Sequence, residues 1–229
     1  MHVLKKPSFY LTLLQLTSLI IMAIFLKPTA AESLSEPDRQ LLILGDSLSA
    51  AYGVAQDKSW VSLLQRRFKR KNIRLKIINA SISGDTTANG LNRLPDALSQ
   101  HQPEYLLIEL GANDGLRGLP LSLIKSNLKQ LITLGQQQGA QVLLMSIRIP
   151  PNYGKKYTEK FTALYGQLAK EADIALLPFM LNDIANHPEL MQADRLHPNE
   201  GAQALILEHI WKALKPVIFP QSPPAPPSS

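Results

Sequence analysis

Apolar and polar residues alternate along the chain in blocks that predict strands and helices in turn. Short runs of large aliphatic residues are typical of strands buried on both faces, and longer stretches with apolar residues three and four positions apart are typical of amphipathic helices. The predicted strands are 41–44, 73–79, 105–110, 141–146 and 174–177. The predicted helices are 59–71, 88–98, 121–138, 157–172 and 199–214. This alternation predicts a doubly wound α/β domain with a five-stranded parallel sheet.

The two ends of the chain fall outside this pattern. Residues 1–31 carry Lys5 and Lys6, then an apolar run and Pro28-Thr29-Ala30-Ala31, which is typical of a cleavable secretory signal peptide. An inner-membrane anchor is the alternative interpretation, although the apolar run is at the lower length limit for spanning. Both interpretations place the following domain in the periplasm. The predicted organisation is a signal peptide at 1–31, a linker at 32–39, one domain at 40–216 and a proline-rich disordered tail at 217–229.

Charge and cysteine content restrict the partners that the chain can have. Lys5, Lys6 and Lys27 lie in the predicted signal peptide, which holds no acidic residue, so the net charge of +6 becomes +3 in the mature chain. The densest basic run, 66–71, ends a predicted helix, where positive charge is favourable. Transient contact with membrane lipid headgroups is the other interpretation of this run, and nucleic-acid binding is not expected of an exported protein. Without cysteine there is no disulfide, thiol nucleophile or thiolate metal site.

Ser47 follows directly on the first predicted strand, which ends at Gly45. Residues at the carboxyl end of a strand in an open α/β sheet lie where ligands bind. A serine at this position has two interpretations, a helix N-cap or a nucleophile. Only the residues that the other loops place at the same edge of the sheet can decide between the N-cap and the nucleophile.

The carboxyl edge of the predicted sheet collects several polar residues. Because all strand-to-helix loops of a parallel sheet meet at that edge, the loops that carry Ser47, Gly84 and Asn113 are expected to converge there. The segment with Asp194 and His197 is expected to return to the same edge. The sequence therefore predicts a serine, a histidine, an aspartate, an amide and a glycine in one place.

These residue types suit ester cleavage. A serine hydroxyl needs a base whose pKa lies near neutrality, and histidine is that base. His197 is the histidine that has an aspartate three residues before it, in a loop, so Asp194 can hold one ring nitrogen while the other faces Ser47. The N–H groups of Ser47 and Gly84 and the Asn113 amide are candidates to stabilise an oxyanion.

Each residue also has an ordinary structural interpretation. Asn113 and Gly84 are common turn residues, and Asp194 and His197 could be a helix cap and a surface histidine. A metal site at Asp194 and His197 is not expected, because no further His, Asp or Glu cluster completes it. Three further aspartates are interpreted as acceptors that stabilise loops: Asp46, Asp85 and Asp114.

Four short blocks resemble those of the SGNH or GDSL hydrolases. They are Gly45-Asp46-Ser47-Leu48, Gly84, Gly111-x-Asn113-Asp114 and Asp194-x-x-His197, and they occur in the order found in that family. The resemblance extends from about Leu41 to Leu214. Stretches 79–86, 113–118 and 150–154 look like the multifunctional bacterial members of the family, which act as acyl-CoA thioesterase, protease, lysophospholipase and arylesterase.

The resemblance implies a flavodoxin-like three-layer α/β/α sandwich, the SGNH hydrolase fold. It implies a catalytic triad of Ser47, Asp194 and His197, and an oxyanion hole formed by Ser47, Gly84 and Asn113. The residues that would touch the acyl chain are Leu116, Leu119, Ile147, Ile149 and Pro150. The alternative is that these apolar side chains simply close the core. Two residues depart from the pattern of the family: Ala51 stands where close members have glycine, and Ala112 replaces a common glycine. Each adds one methyl group beside the site.

The chain is thus expected to be a monomeric serine hydrolase that cleaves small-molecule acyl esters and thioesters without a metal or organic cofactor. Two alternatives stay open. The same four blocks also serve carbohydrate deacetylases. A non-catalytic lipid-binding domain would keep the fold without the reaction.

Overall fold

The structure is a computed structural model that describes residues 39–220. The predicted signal peptide, nearly all of the predicted linker and most of the predicted proline-rich tail lie outside the described residues. Within them, regular structure begins at Arg39 and continues to the buried Ile218, one residue before and two residues beyond the limits predicted for the domain. No helix in this part of the chain is both long enough and apolar enough to cross a membrane.

Five strands form one parallel sheet, as the sequence predicts. The strands are β1 (Arg39–Gly45), β2 (Leu75–Asn79), β3 (Tyr105–Glu109), β4 (Gln141–Met145) and β5 (Ala175–Leu177). Their order in the sheet is β2-β1-β3-β4-β5, and every neighbouring pair is parallel. The order reverses at β1, so the chain moves to one side for β2 and to the other for β3. In such a sheet the crevice between the carboxyl ends of β1 and β3 is the expected ligand site.

Helices cover both faces of the sheet and make the three-layer sandwich. They are α1 (Trp60–Arg70), α2 (Thr87–His101), the short α3 (Ala112–Leu116), α4 (Leu121–Gln137), α5 (Lys155–Ala172) and α6 (Gln203–Ile218). Alternate residues of β1 point to opposite faces: Leu41 and Ile43 join the core under α1 and α6, whereas Leu42 and Leu44 join the core under α2, α4 and α5. All four side chains are fully buried, which explains the unbroken apolar run of this strand.

Side chains cap two of the helices. The Ser59 side chain caps α1 by accepting from the Ser62 N–H at 3.2 Å, and Thr86 caps α2 in the same way. The last predicted helix begins too early, at Asn199. Its side-chain amide instead donates to the carbonyl of Glu189 at 2.7 Å, and α6 begins four residues later without a side-chain cap. Asn199 thus holds a loop together rather than a helix.

Candidate active site

Ser47 lies in a turn just past the end of β1, at the point where the strand order reverses. We call residues 46–50 the nucleophile turn. The Ala50 N–H donates to the Asp46 carbonyl at 2.9 Å, but no helix follows, since α1 begins at Trp60 and is capped by Ser59. The interpretation of Ser47 as a helix cap is therefore wrong. Its hydroxyl is free for a different partner.

That partner is His197. The Nε2 atom of His197 lies 2.9 Å from Ser47 Oγ, and its Nδ1 lies 2.7 Å from Asp194 Oδ2. The three side chains thus form one hydrogen-bonded chain from carboxylate to imidazole to hydroxyl, although 150 residues separate Ser47 from His197 along the sequence. With the Nδ1 proton held by Asp194, Nε2 carries the lone pair that can accept the hydroxyl proton.

Asp194 is oriented by the backbone of its own loop. We call residues 191–198 the histidine loop. Asp194 Oδ1 accepts from the N–H groups of Leu196 at 2.9 Å and His197 at 3.0 Å, which leaves Oδ2 for the imidazole. Burial alone would raise the pKa of Asp194, but the bonds from His197 and Leu196 outweigh it and lower that pKa from 3.8 to about 2. Asp194 is therefore ionised throughout the pH range in which a histidine base works.

Two further contacts join the histidine loop to the turn side of the site. The Gln192 side-chain amide donates to the carbonyls of Tyr52 at 2.8 Å and Pro198 at 3.0 Å. The Tyr52 ring packs on the His197 ring, with centroids 4.5 Å apart. These contacts hold the His197 ring against Tyr52.

The three predicted oxyanion donors lie in loops that are tied to one another. The Ile82 N–H donates to the Gly45 carbonyl at 3.1 Å, which brings the Gly84 loop to the end of β1. The Asn113 amide nitrogen donates to the Asp85 carbonyl at 2.9 Å and to Asp46 Oδ2 at 3.3 Å. Within residues 39–220 the N–H groups of Ser47 and Gly84 have no acceptor. Backbone donors without a partner beside a nucleophile are suited to hold an oxyanion.

Three aspartates stabilise the loops, as predicted. Asp46 Oδ1 accepts from the Leu48 N–H at 3.1 Å, and Asp85 accepts from Arg93 Nε at 2.7 Å. Asp114 is buried and accepts from both the N–H and the hydroxyl of Thr87, at 2.8 and 2.6 Å. The first bond stabilises the turn after β1, and the other two tie the loop after β2 and the short α3 to α2.

A cavity of about 520 Å³ opens beside the site and is lined by Ser47, Asn113 and His197. Four of the five residues predicted to touch an acyl chain line it: Leu116, Ile147, Ile149 and Pro150. Leu119 does not. Its carbonyl accepts from the Tyr157 hydroxyl at 2.7 Å, and its side chain packs against the core. The contact of Leu119 with an acyl chain stays a prediction.

Comparison with known proteins identifies the family. Residues 43–205 match the model of the GDSL-like lipase/acylhydrolase family, and these residues include all four blocks of the site. The chain belongs to the GDSL-like lipase/acylhydrolase family. The resemblance seen in the sequence is thus confirmed, and the protein is a hydrolase that acts on ester bonds.

Individual relatives agree with the family. An arylesterase of Vibrio mimicus is 47% identical over 196 residues, which cover 86% of this chain and 96% of the relative. Thioesterase 1/protease 1/lysophospholipase L1 of Escherichia coli (strain K12) is 46% identical over 178 residues, which cover 78% of this chain and 84% of the relative. The crystal structure of the psychrotrophic esterase EstA from Pseudoalteromonas sp., inhibited by monoethylphosphonate, superposes with a TM-score of 0.77 at 45% identity, covering 79% of this chain and 99% of that one. These relatives confirm the SGNH hydrolase fold.

The far wall of the cavity in this GDSL-family hydrolase was not found from the sequence. It is built by Phe179, Leu181, Asn182 and Asp183 from the segment between β5 and the histidine loop, and by Met191 at the start of that loop. Arg148 and Arg195 add positive charge to the lining. The segment has no regular helical or strand period, so nothing in the pattern indicates which of its side chains turn toward Ser47.

The two departures from the family have different structural consequences. Ala51 has φ +64°, a backbone conformation that costs free energy for any residue with a Cβ. Glycine at this position would remove that cost. Ala112 begins α3 with an ordinary helical backbone and lines the cavity, so its methyl group narrows the pocket without strain.

Proposed function

We propose that this protein is a serine esterase and thioesterase that uses Ser47 as nucleophile and forms an acyl-enzyme. The observation that carries the proposal is the unbroken hydrogen-bonded chain from Asp194 Oδ2 through the imidazole of His197 to Ser47 Oγ, at 2.7 and 2.9 Å. A nucleophile, a base and a group that orients the base form the constellation that acyl transfer requires. The names of the relatives, which include an arylesterase and a thioesterase, support the same reaction.

In the acylation step, His197 Nε2 takes the proton of Ser47 as Oγ attacks the carbonyl carbon of the substrate. The carbonyl oxygen becomes an oxyanion, which receives hydrogen bonds from the N–H groups of Ser47 and Gly84 and from the Asn113 amide. His197 then gives its proton to the departing alcohol or thiol. Asp194 holds the ring in the required tautomer and stabilises the imidazolium without taking the proton.

In the deacylation step, water attacks the acyl group on Ser47 with His197 again as the base. The acid leaves, and the proton returns to Ser47 Oγ. Every group in this scheme is a side chain or backbone N–H of one chain, so a monomer suffices. Within residues 39–220 no group of three or more His, Asp or Glu side chains converges on a point that could hold a metal ion.

The cavity favours acyl groups longer than acetyl. Its walls are mainly aliphatic and aromatic, from Leu116, Ile147 and Ile149 on one side to Phe179 and Leu181 on the other. Removing a medium or long acyl chain from water into such a wall contributes about 0.8 kcal/mol for each buried methylene. The substrate class proposed is therefore medium- to long-chain acyl esters and thioesters, which includes aryl esters, acyl-CoA and lysophospholipids.

Periplasmic location and transient contact with membrane lipid complete the proposal. The predicted signal peptide supports the location. Lys69, Arg70 and Lys71 at the end of α1 are exposed and make no side-chain ion pair within the described residues, which supports attraction to anionic headgroups. Fractionation of producing cells and sedimentation with anionic and neutral vesicles test these two statements.

Replacing the nucleophile tests the function. Ser47→Ala is expected to lower kcat for a p-nitrophenyl octanoate ester by at least ~10³-fold, because the acyl-enzyme cannot form. Ser59→Ala is the matched control, since it removes a hydroxyl that caps α1 and does not line the cavity, and it should cost only about 1 kcal/mol of stability. A folded Ser47→Ala protein with half the wild-type rate would contradict the proposal. An ester series with its optimum at acetyl and no octanoyl activity would instead favour a carbohydrate deacetylase.

A further inference from the structure

Glu109 is a carboxyl group inside the core that the proposed reaction does not use. It is the last residue of β3, where every other side chain of the strand is apolar or aromatic, and its exposed fraction is 0%. It does not line the acyl cavity. A fully buried carboxyl group needs hydrogen bonds or a proton to be tolerated.

One oxygen of Glu109 holds the nucleophile turn from below. Oε2 accepts from the Asp46 N–H at 3.3 Å and from the Ser49 hydroxyl at 2.8 Å, so it binds the turn on both sides of Ser47. The other oxygen, Oε1, is buried and receives no hydrogen bond from any described residue. An oxygen with no donor nearby is where an un-ionised acid would carry its own proton.

The second carboxyl group beside Glu109 is Asp46, which is also fully buried. Asp46 Oδ1 accepts from the Leu48 N–H at 3.1 Å, and Oδ2 accepts from the Asn113 amide at 3.3 Å. Both bonds require Asp46 to act as an acceptor. Two adjacent buried carboxyl groups cannot both be ionised without a large cost, so the pair is expected to hold one proton.

The hydrogen bonds assign that proton to Glu109, because both oxygens of Asp46 accept from N–H donors while Glu109 Oε1 receives none. The pKa shifts act in the same direction. Burial raises the pKa of Glu109 well above its ordinary 4.5, and the charge of Asp46 raises it further. Burial also raises the pKa of Asp46, which the Leu48 N–H and His197 partly offset.

We propose that Glu109 is a positioning residue of the reaction: as an un-ionised acid it donates from Oε1 to the Asp46 carboxylate and so fixes both the turn that carries Ser47 and the Asp46 oxygen that holds the Asn113 amide. The proposal rests on the proposed function for its kinetic consequences, because Ser47 and Asn113 act on the substrate and Glu109 does not touch it. Its structural part, a protonated Glu109, stands independently.

The shared proton also limits the charge beneath the oxyanion site. With one proton in the pair, Asp46 contributes a single negative charge, which favours the imidazolium of His197. A second negative charge on Glu109 would oppose the oxyanion in a region of low dielectric. The other ionisable or charged groups that face the pair are His197, Asp85, Asp114, Tyr165 and Arg93.

The proposal predicts a dependence on alkaline pH. As the pH rises through the raised pKa of Glu109, the acid loses its proton, the bond to Asp46 breaks and kcat falls. The folded state also loses stability over that range, because a buried acid with a raised pKa binds its proton more tightly folded than unfolded. A neutral side chain at position 109 that can still donate a hydrogen bond would remove both the fall in kcat and the loss of stability.

Two variants of the full mature chain distinguish the hydrogen bond that Glu109 donates from the space that its side chain fills. Glu109→Gln keeps a donor and has no charge to lose, whereas Glu109→Met keeps a similar length without any hydrogen bond. Glu104→Gln is the matched control, because Glu104 lies one residue before the same strand and is 42% exposed in its ion pair with Arg39. The measurements are kcat and KM for a p-nitrophenyl ester at about five pH values between about pH 6 and about pH 10. The Tm of each variant is determined from thermal melts at the same pH values.

We expect Glu109→Gln to retain at least a third of the wild-type kcat at pH 7 and to lose the alkaline decline. Glu109→Met should lower kcat by about 10²-fold with KM nearly unchanged, since a small displacement of reacting groups costs rate without altering the acyl cavity. Equal losses in the two variants, or a wild-type rate in Glu109→Met, would overturn the proposal. So would an alkaline decline in Glu109→Gln as steep as that of the wild type.

An infrared measurement tests the protonation itself and does not depend on catalysis or on the Met variant folding. At pH 7 the wild-type spectrum minus that of Glu109→Gln should show the carbonyl stretch of an un-ionised carboxylic acid, and the Glu104→Gln difference should not. Absence of that band overturns the proposal even if the enzyme is an active serine esterase. Presence of the band in an enzyme whose Ser47→Ala variant keeps its rate would instead mean that the proposed function had failed.

Discussion

The nucleophile turn and the histidine loop supply the two halves of the site, and they are held in place by different means. The turn is fixed from the core: Glu109 holds Asp46 and Ser49 from below, and the Trp60 indole donates to the Leu48 carbonyl at 3.2 Å. The loop is fixed mainly by its own bonds, which are one of 2.8 Å from the Gln192 N–H to the His197 carbonyl and those inside Asp194-x-x-His197, with Tyr52 as its contact outside the loop on the turn side. The position of the serine thus depends on the core, whereas the position of the base depends mainly on contacts within one exposed loop.

The exposure of the two regions follows the same division. Asp46 and Ser49 are fully buried, while the side chain of Asp194 is 40% exposed and Arg195 is exposed with φ +57°. Hydrogen bonds near water contribute less net stability than those in the core. Changes in the turn should therefore lower stability and activity together, and changes in the loop should lower activity alone.

The largest effect that tests this division is expected from Asp194→Asn. The Asn carbonyl oxygen can still accept from Leu196 and His197, but its amide group would face His197 Nδ1 as a donor. The imidazole would then carry its proton on Nε2 and could not accept the proton of Ser47. We expect kcat to fall by about 10⁴-fold, while Tm changes by less than about 4 °C, which is about 1 kcal/mol for a domain of this size.

The matched control is Asp96→Asn, an exposed aspartate on α2, measured by ester turnover and thermal melting in parallel. It should leave both quantities at the wild-type value. If Asp194→Asn kept a tenth of the wild-type rate, Asp194 would not be the group that sets the tautomer. If its Tm fell as far as in a core variant, the loop would not be independent of the fold.

A smaller loss of activity, joined to a loss of stability, is expected from Gly45→Ala. A Cβ at Gly45 would lie 2.6 Å from Glu109 Oε2 and 2.8 Å from Ser81 Oγ. Such overpacking costs about 2 kcal/mol, which would lower Tm by about 4–8 °C. The displaced turn should lower kcat by about 10- to 100-fold.

Gly166→Ala provides the comparison for this variant. Gly166 lies within α5, and a Cβ there meets no atom within 4 Å. Alanine should raise stability by about 0.5–1 kcal/mol because glycine is unfavourable inside a helix, with no change in kcat. A Gly45→Ala enzyme with wild-type Tm and a lowered kcat would show that the turn is not braced by the core.

The fold could be predicted because its pattern is strong and local. The aliphatic run 41–44 fits a strand that is buried on both faces. The helical period of 121–138 fits an amphipathic helix that packs on a sheet. The parallel order then follows from the alternation of elements. The start of the last helix was predicted four residues too early, at Asn199 rather than Gln203, because a side chain that can cap a helix can equally bind another loop. Only the tertiary structure decides between the two.

The site residues that the sheet topology brings to one edge could be predicted from the sequence. The contacts that depend on side-chain packing could not. Ser47, Asn113 and His197 meet because strand ends share one edge of the sheet. Leu119 was expected at the acyl chain from the resemblance to the family, yet its side chain packs against the core and does not line the cavity. Glu109 offered a signal that the sequence prediction did not use, since a carboxylate at the end of an apolar strand has to be paired or protonated.

The most direct test of the central claim is covalent labelling of the folded mature protein with a fluorophosphonate, read by intact mass and peptide mapping. The hydrogen-bonded chain at Ser47 makes that hydroxyl the activated nucleophile, so we expect a single phosphonyl adduct on the peptide that contains Ser47. Ser47→Ala should carry no adduct, and Asp194→Asn should react far more slowly than the wild type. A folded wild-type protein that stays unlabelled, or that is labelled at another residue, would contradict the account.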